Sequence, residues 1–161
     1  MDKNIMIVPA EEKHLAVAGD IAVVAWTAIH EAYIERIGAK MHDDIMDGWQ
    51  DRKRKGIEGA LMSGRGYVAL VDGVVAGFIA YRVNEANKTG EIMGNAVSPD
   101  FRGMGIGTMM YEFVLGKMRE EGMKYATVTT GLDDGHAAAR RSYEKAGFEK
   151  NLPSIEYYME L

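Results

Sequence analysis

Apolar and polar positions follow one another along this chain in patterns that distinguish strands from helices. The first apolar run, residues 4–9, predicts a short strand that Pro9 ends. Beyond it, apolar residues recur every three or four positions, which predicts a helix through Ala25 or beyond. The stretch 26–62 keeps a helical character, and we expect two helices there with a break near Gly38. The amino-terminal part therefore predicts one strand followed by helices.

Strand-like runs occupy the middle of the chain. Two runs rich in β-branched and aromatic residues lie within 66–83 and flank the dipeptide Asp72-Gly73. This dipeptide is typical of a two-residue turn, so the two runs predict an antiparallel hairpin. A polar connection leads to a further strand over 91–97, which contains Gly94. A glycine inside a strand predicts a bulge or a close backbone approach.

The carboxyl-terminal part returns to alternating helices and strands. Apolar residues recur at helical spacing from Ile106, and Gly122 offers a stop for that helix. A strand over 124–130 follows, and then a second helix with Gly147 as its candidate C-cap. The apolar residues within 148–161 predict a closing hairpin.

This order of elements predicts the fold class. Strands 91–97 and 124–130 are joined by a helix, so we expect them to be parallel neighbours with a right-handed crossover. The earlier hairpin is antiparallel. The fold class is therefore α/β (α+β), with a mixed, mostly antiparallel central sheet, one parallel β-α-β unit and flanking helices. A length of 161 residues fits a single domain, 1–161.

Composition and charge narrow the classes of function. The chain has no cysteine, which excludes disulfides and thiolate zinc sites, and its four histidines lack zinc-motif spacing, so we expect no metal. A formal net charge of −5 argues against nucleic acid as a partner and slightly favours a cationic one. The first residues lack the apolar core of a signal peptide, and no apolar run approaches the roughly 20 residues of a membrane span. We therefore expect a cytoplasmic protein with no membrane partner.

The segment SPDFRGMGIG, residues 98–107, carries the most specific chemical pattern. Its alternate glycines, Gly103, Gly105 and Gly107, allow backbone N–H groups to converge on an anion, and the following helix start adds more N–H groups. Each such contact contributes about 0.3–1 kcal/mol at an exposed site, so a diphosphate with many acceptor oxygens is a fitting ligand. The dinucleotide fingerprint and the P-loop pattern both fail here, which disfavours a nucleotide-binding α/β protein.

The pattern Arg102-x-x-Gly105-x-Gly107 resembles the R/Q-x-x-G-x-G/A signature of the GNAT family of N-acetyltransferases. AVSP precedes it, and RRSYEKAGFE further along resembles the second marker of that family. The element order also matches. The resemblance implies the GNAT fold, with acetyl-CoA (coenzyme A) as co-substrate. It implies that the pyrophosphate is held by Arg102 and by the N–H groups of the loop and helix start, namely Gly103, Met104, Gly105, Ile106, Gly107 and Thr108.

The same resemblance implies roles for four further residues. Tyr143 matches the tyrosine that gives a proton to the leaving thiolate, although a core tyrosine is the alternative. Val97 stands where the family polarises the thioester carbonyl through a backbone N–H. Glu91 stands where histone-acetylating relatives carry a base glutamate, and the alternative is a solvated carboxylate at a strand start. His136 replaces a common cofactor-binding asparagine, and either keeps that hydrogen bond or is an exposed residue of the first helical turn.

The acceptor amine, from a small molecule or a peptide, is expected between the first helices and the hairpin. The candidates there are Trp26, His30, Tyr33, His42 and Trp49. Core packing between irregular helices is the alternative for all five, and it is the preferred interpretation of both tryptophans. The basic run at 52–55 is expected to be a solvated helix face.

The expected function is acetyl-CoA-dependent N-acetyl transfer to a primary amine by direct attack. The alternative is a non-catalytic acyl-CoA-binding sensor or partner module with the same fold. The apolar terminal run also makes a homodimer an expectation.

Overall fold

The computed structural model of the protein describes residues 4–161. Strands and helices follow one another in the order β1 (Ile5–Pro9), α1 (Glu12–Ile37), α2 (Ala39–Met46), α3 (Trp49–Leu61), β2 (Gly66–Val71), β3 (Val74–Asn84), β4 (Thr89–Val97), α4 (Ile106–Glu120), β5 (Tyr125–Val128) and α5 (Ala137–Lys145). Short 3-10 turns at Pro99–Phe101 and Asp134–His136 precede α4 and α5.

The strands form one sheet in the order β1-β2-β3-β4-β5. Strands β1 to β4 pair antiparallel, and β5 pairs parallel with β4 after the crossover through α4. A mixed, mostly antiparallel sheet with one parallel β-α-β unit is the predicted fold class, which is thereby confirmed.

Helices cover both faces of the sheet, because alternate strand residues point to opposite sides. On one face, Met110 and Val114 of α4 are fully buried in the larger core cluster. On the other face, Ala22 of α1 and Ile57 of α3 pack with Phe78 of β3. Burial of a side chain such as Ile57 stabilises the fold by about 1.5–3 kcal/mol. The sheet therefore separates a face formed by α4 from a face formed by α1 and α3.

The turn between β2 and β3 has the backbone that its sequence requires. Asp72 and Gly73 both have positive φ, 49° and 84°, and Val71 pairs with Val74 across the turn. Two positive φ angles are typical of the type I′ turn, whose twist matches that of the paired strands. The predicted hairpin is confirmed.

The helical stretch before the hairpin is broken at two glycines. Gly38, with φ of 83°, ends α1 and confirms the predicted break. A second break at Gly48, with φ of 67°, separates α2 from α3 and was not predicted. The stretch 26–62 consequently holds the end of α1 and two further helices.

Helix α1 is long and apolar enough, by length and composition alone, to cross a membrane. In the fold it packs along α3 and against β3 and β4. Its inner face carries buried Ala18, Ile21 and Ile29. Packing within the domain accounts for the apolar residues on this face.

A bulge interrupts β4 at the predicted glycine. Ala80 pairs with Gly94 and Tyr81 with Ile92, so Met93 is the extra residue of β4. An added Cβ on Gly94 would lie only 2.8 Å from Cδ1 of Ile57. The bulge is confirmed, and the close neighbour of Gly94 is a side chain of α3 instead of another backbone.

The predicted closing hairpin is wrong. Residues 148–161 form no strand, and β5 ends at Val128, two residues earlier than predicted. A strand next to β5 would need one face buried against the core, but Ile155, Tyr157 and Leu161 are exposed. The terminal segment instead runs past the start of α2, where Glu160 lies 3.6 Å from Lys40.

Candidate active site

A gap opens in the sheet between β4 and β5. These strands pair only from Thr89 to Ile92, because the bulge then turns β4 away from β5. On the β3 side, Ser98 donates its N–H to the carbonyl of Ala76. Donors alternate in direction along an antiparallel ladder, so the N–H groups of Val97 and Asn95 point into the gap.

The glycine loop forms the wall at one end of this gap. Gly103 and Gly105 have φ of 77° and 74°, a backbone that residues with a Cβ rarely adopt. The first backbone hydrogen bond of α4 runs from the N–H of Met109 to the carbonyl of Gly105. The six N–H groups before it, Gly103 to Thr108, donate to no atom of residues 4–161.

These unpaired donors surround a cavity of about 230 Å³. The structure brings most of the predicted cofactor residues together there, but Met104 and His136 are not part of the lining. The lining consists of Val97, Phe101, Arg102, Gly103, Gly105, Ile106, Gly107, Thr108 and Ser142. The guanidinium of Arg102 forms no ion pair within residues 4–161, including with the nearby Asp100. The donors, the helix start and the free guanidinium fit a pyrophosphate in this cavity.

Tyr143 lies on α5, one residue after the Ser142 that lines the cavity, and belongs to a buried polar network. The amide of Asn95 donates to the Tyr143 hydroxyl at 2.9 Å, and Tyr111 donates to the other end of that amide at 2.8 Å. Burial raises the pKa of Tyr143, although the neighbouring amide of Asn95 and hydroxyl of Tyr111 lower it in part. The hydroxyl proton of Tyr143 is donated to no atom of residues 4–161, so it is free for a ligand.

The network explains why sequence reasoning missed Asn95 and Tyr111. An asparagine within an apolar strand was the available indication, because a buried amide needs partners. Nothing local shows that those partners are two tyrosines, which reach Asn95 from α4 and α5.

His136 is held by the loop before α5. Its Nδ1 lies 2.7 Å from Oδ2 of Asp133, and its side chain is 13% exposed, so an exposed first-turn residue is the wrong interpretation. Burial acts to raise the pKa of Asp133, but hydrogen bonding and the charge of His136 outweigh it, and this pKa is lowered. Arg140 donates to the carbonyls of Gly131 and Asp133 and closes the loop. A contact between His136 and the cofactor stays a prediction.

Glu91 lies at the start of β4, two residues before the bulge. Its carboxylate accepts from Nε and Nη2 of Arg82 at 2.7 and 2.6 Å. This ion pair is partly exposed to solvent. The role of Glu91 as a base stays a prediction.

A second cleft, of about 440 Å³, lies at the bulge end of the gap. Its walls come from α1, the end of α2, α3 and the bulge, and consist of His30, Met46, Trp49, Arg52, Lys53, Gly56, Ile57, Ala60 and Met93. The prediction of a solvated face for 52–55 holds for the exposed Arg52 and Lys55 and is wrong for the partly buried Lys53 and Arg54. Lys53 is partly buried, and its ammonium lies over Trp26, with Nζ 4.0 Å from the ring centroid.

The candidate aromatic residues meet this cleft in different ways. His30 stacks on Trp49 with ring centroids 3.8 Å apart, and both line the cleft. His42 is buried behind His30, and Tyr33 meets the His30 ring edge-on. Trp49 thus takes part in the cleft, while Trp26 supports Lys53 from below.

Known acetyltransferases share this fold. The PaiA N-acetyltransferase from Thermoplasma acidophilum, solved in complex with coenzyme A, superposes with a TM-score of 0.67 at 15% identity, over 91% of this chain and 90% of that one. The ribosomal-protein-S18-alanine N-acetyltransferase from Escherichia coli gives 0.64 at 18% identity, over 92% and 80%. At these identities the likeness establishes the fold.

Sequence comparison gives a closer match over a shorter length. The N-acetylaspartate synthetase of Rattus norvegicus is 33% identical over 95 residues, which are 58% of this chain and 30% of that protein. This chain therefore spans less than a third of that relative. The model of the acetyltransferase (GNAT) family matches residues 23–148, which include β4, the glycine loop and α5. The chain belongs to the acetyltransferase (GNAT) family.

Proposed function

We propose that this protein transfers an acetyl group from acetyl-CoA to a primary amine. The row of N–H groups from Gly103 to Thr108 carries the proposal, because these donors have no acceptor in residues 4–161 and lie beside the unpaired edge of β4. A pyrophosphate supplies the missing acceptors. The thioester arm then extends along the gap toward the cleft at Met93.

The length of β4 relates the two ends of the site. Val97 lines the pyrophosphate cavity and Met93 lines the cleft. Four residues of strand separate them, a distance of about 13 Å. The acetyl group and the amine accordingly meet near the bulge, beside Asn95.

The groups around this meeting point suit acyl transfer. The N–H groups of Asn95 and Val97 face the gap and can stabilise an oxyanion on the thioester carbonyl. The protonated hydroxyl of Tyr143, held by Asn95 at 2.9 Å, can give its proton to the leaving thiolate. A module that only bound acyl-CoA would have no use for this proton donor.

Free thiol release tests the proposal against the binding-module alternative. Purified protein is incubated with acetyl-CoA and a panel of primary amines, and both thiol and acetylated amine are measured. We expect both products to rise in step with at least one amine. Tight binding of acetyl-CoA without turnover of any amine would support the binding module instead.

The charges of the cleft point to an acceptor that carries a carboxylate. Arg52 donates to the carbonyl of Asp47, and neither Arg52 nor Lys53 has a carboxylate partner within residues 4–161. Burial lowers the pKa of Lys53, so a bound anion would stabilise its charged form. The name of the rat relative also gives an acidic product, N-acetylaspartate. We therefore propose an amino acid or similar acidic amine in place of the cationic acceptor that the net charge favoured.

Matched acceptors test this class. An amino acid is compared with the amine that lacks its carboxylate, for the protein and for Lys53→Met. We expect Lys53→Met to raise KM for the amino acid about tenfold or more and to leave the plain amine unaffected, since one partly buried charge pair contributes about 1–3 kcal/mol. Lys55→Met, an exposed neighbour on α3, serves as the control. Equal effects on both acceptors would contradict the proposal.

We also propose a homodimer. The outer edge of β5 carries exposed Tyr125 and pairs with no described strand. The terminal segment exposes Ile155, Tyr157 and Met159. In a dimer, the exposed apolar side chains of a second copy would pack against this edge and cover it.

A further inference from the structure

A chain of hydrogen bonds leads into the acceptor cleft from the surface of α2. Oδ1 of Asp43 lies 3.0 Å from Nδ1 of His42, and Nε2 of His42 lies 2.9 Å from Nδ1 of His30. Asp43 is exposed, His42 is buried, and His30 lines the cleft against the face of Trp49. The chain thus connects a carboxylate in solvent with a ring at the acceptor site.

The donor and acceptor roles along this chain follow from its first member. An ionised carboxylate only accepts, so Nδ1 of His42 donates to Asp43. In the tautomer of His42 that carries its proton on Nδ1, Nε2 is an acceptor, and Nδ1 of His30 donates to it. The lone pair of His30 is left on Nε2, which has no hydrogen-bond partner within residues 4–161. The arrangement leaves one unprotonated nitrogen on a ring that lines the cleft.

Acetyl transfer to an amine needs a base that removes the proton of the ammonium. An alkyl ammonium has a pKa near 10.4, so only about one molecule in 2,500 is the free amine at pH 7. A positioned base that removes the proton contributes about 10²–10⁴-fold to the rate.

We propose that His30 is the general base for the acceptor amine, and that His42 and Asp43 are positioning residues that hold its tautomer. This rests on the acetyl transfer proposed above. His30 Nε2 takes one proton from the ammonium and releases it to solvent. The nitrogen lone pair then bonds to the carbonyl carbon, and the C–S bond breaks. The thiolate takes the proton of Tyr143, while His30 takes the second amine proton, which returns through solvent to Tyr143. One proton is released per turnover.

Burial and the charges around His30 keep its ring neutral. The groups that face it are Tyr33 on α1, His42 on α2, and Arg52 and Lys53 on α3, with Asp43 one hydrogen bond further away. Burial, followed by the charges of His42, Lys53 and Arg52, lowers the pKa of His30 to about 4. The ring is therefore neutral at neutral pH. An acceptor carboxylate that pairs with Lys53 and Arg52 offsets their charge and makes His30 a stronger base.

The pH profile of His30→Gln tests the catalytic role. We expect kcat/KM at neutral pH to fall by about 10²–10⁴-fold. The loss should shrink as pH approaches the pKa of the acceptor, because the amine then arrives without its extra proton. Acetyl-CoA binding, measured by calorimetry, should be unchanged and reports an intact fold. An unchanged rate, or an equal loss at every pH, would overturn the proposal.

Two surface variants test the positioning role without disturbing the core. We expect Asp43→Ala to lower the rate by about tenfold with the same recovery at high pH, and Asp43→Asn to restore most of it, because an amide oxygen still accepts from His42. Asp44→Ala, which removes the adjacent partner of Lys40, is the matched control. Equal rates for Asp43→Ala and Asp44→Ala would remove His42 and Asp43 from the proposal.

The outcomes separate this inference from the proposed function. If the unmodified protein turns over no amine, the acetyl-transfer proposal fails. If it is active and Glu91→Gln carries the pH-dependent loss while His30→Gln does not, acetyl transfer stands and the assignment of His30 is overturned.

Discussion

The hydroxyl of Tyr143 accepts a hydrogen bond from Asn95 and keeps its own proton for a ligand. Burial raises its pKa, so the group is protonated at neutral pH and can give its proton to a ligand while it accepts from Asn95. Tyr111 shares the network, but its proton already goes to Asn95. At the scale of single residues, Tyr143 can therefore give a proton to a ligand, whereas Tyr111 of the same network cannot.

We expect Tyr143→Phe to lower kcat by about 10²-fold or more, with little change in the Kd for acetyl-CoA. Phenylalanine keeps the ring contacts with Tyr111 and Phe148. Steady-state kinetics and calorimetry measure the two quantities. Tyr111→Phe is the control, because it removes a hydroxyl that has no free proton. A comparable loss of rate in both variants would indicate a structural role for the network.

A substitution at Gly107 should affect acetyl-CoA binding and the stability of the fold in opposite directions. A Cβ at this position would meet only Cγ2 of Val97, at 3.9 Å, so the folded protein has room for it. We expect Gly107→Ala to stabilise the fold by up to about 1 kcal/mol through helix propensity, but to weaken acetyl-CoA binding at least tenfold by blocking the approach of the phosphates. Gly116→Ala in the same helix should stabilise the fold by a similar amount and leave acetyl-CoA binding unchanged. Unchanged affinity in Gly107→Ala would argue against a pyrophosphate at the loop.

At the scale of elements, the bulge of β4 determines where the site can be. It separates β4 from β5 and places both Met93 and Gly94 on the side of α3, where Gly94 lies under Ile57. Without the bulge the ladder with β5 would continue and the N–H groups of Asn95 and Val97 would be paired. One inserted residue thus creates both the gap and a wall of the cleft.

We expect Gly94→Ala to destabilise the protein by about 1–3 kcal/mol, because its Cβ would lie 2.8 Å from Cδ1 of Ile57. Ile57→Val removes that atom. Urea unfolding of both single variants and the double variant measures the coupling. The cost of Gly94→Ala should be smaller in the Ile57→Val background, and strictly additive costs would refute the contact.

Sequence patterns predicted those elements whose cause is local. The turn at Asp72-Gly73, the break at Gly38 and the glycine loop each follow from backbone freedom at named positions. Features formed by distant segments were not predictable. Asn95 meets its tyrosines, and His30 meets His42, only after the helices pack. The closing hairpin failed because apolar composition does not supply a core for a strand to cover.

At the scale of the whole molecule, stability depends on pH through the partly buried His30. The pKa of His30 lies near 4 in the folded protein and near 6.5 when unfolded. The unfolded chain therefore binds this proton first as the pH falls. The contribution of the neutral ring is complete above about pH 6.5 and is lost as pH falls toward about 4.

We expect the free energy of unfolding to decrease over that window and His30→Gln to reduce the decrease. Urea unfolding at several pH values measures it. Above neutral pH, the free energies of unfolding of the unmodified protein and of His30→Gln should differ by a constant amount. Identical slopes over the whole window would show that His30 titrates normally in the folded state.

The proposed dimer gives a prediction of assembly. Light scattering should give twice the chain mass of 17.8 kDa for the full protein. Removal of residues 152–161 should give the single mass, because the exposed apolar side chains of that segment are lost. A monomer at micromolar concentration in the full protein would contradict the proposal.

The gap between β4 and β5 also has a consequence for solubility. Unpaired N–H groups on an extended strand attract any other extended chain, including a misfolded copy of the same protein. Occupancy of the gap by a thioester arm covers that edge. Protein purified without acetyl-CoA should consequently aggregate sooner on storage than protein saturated with it. Bound acetyl-CoA would thus keep the protein soluble for longer.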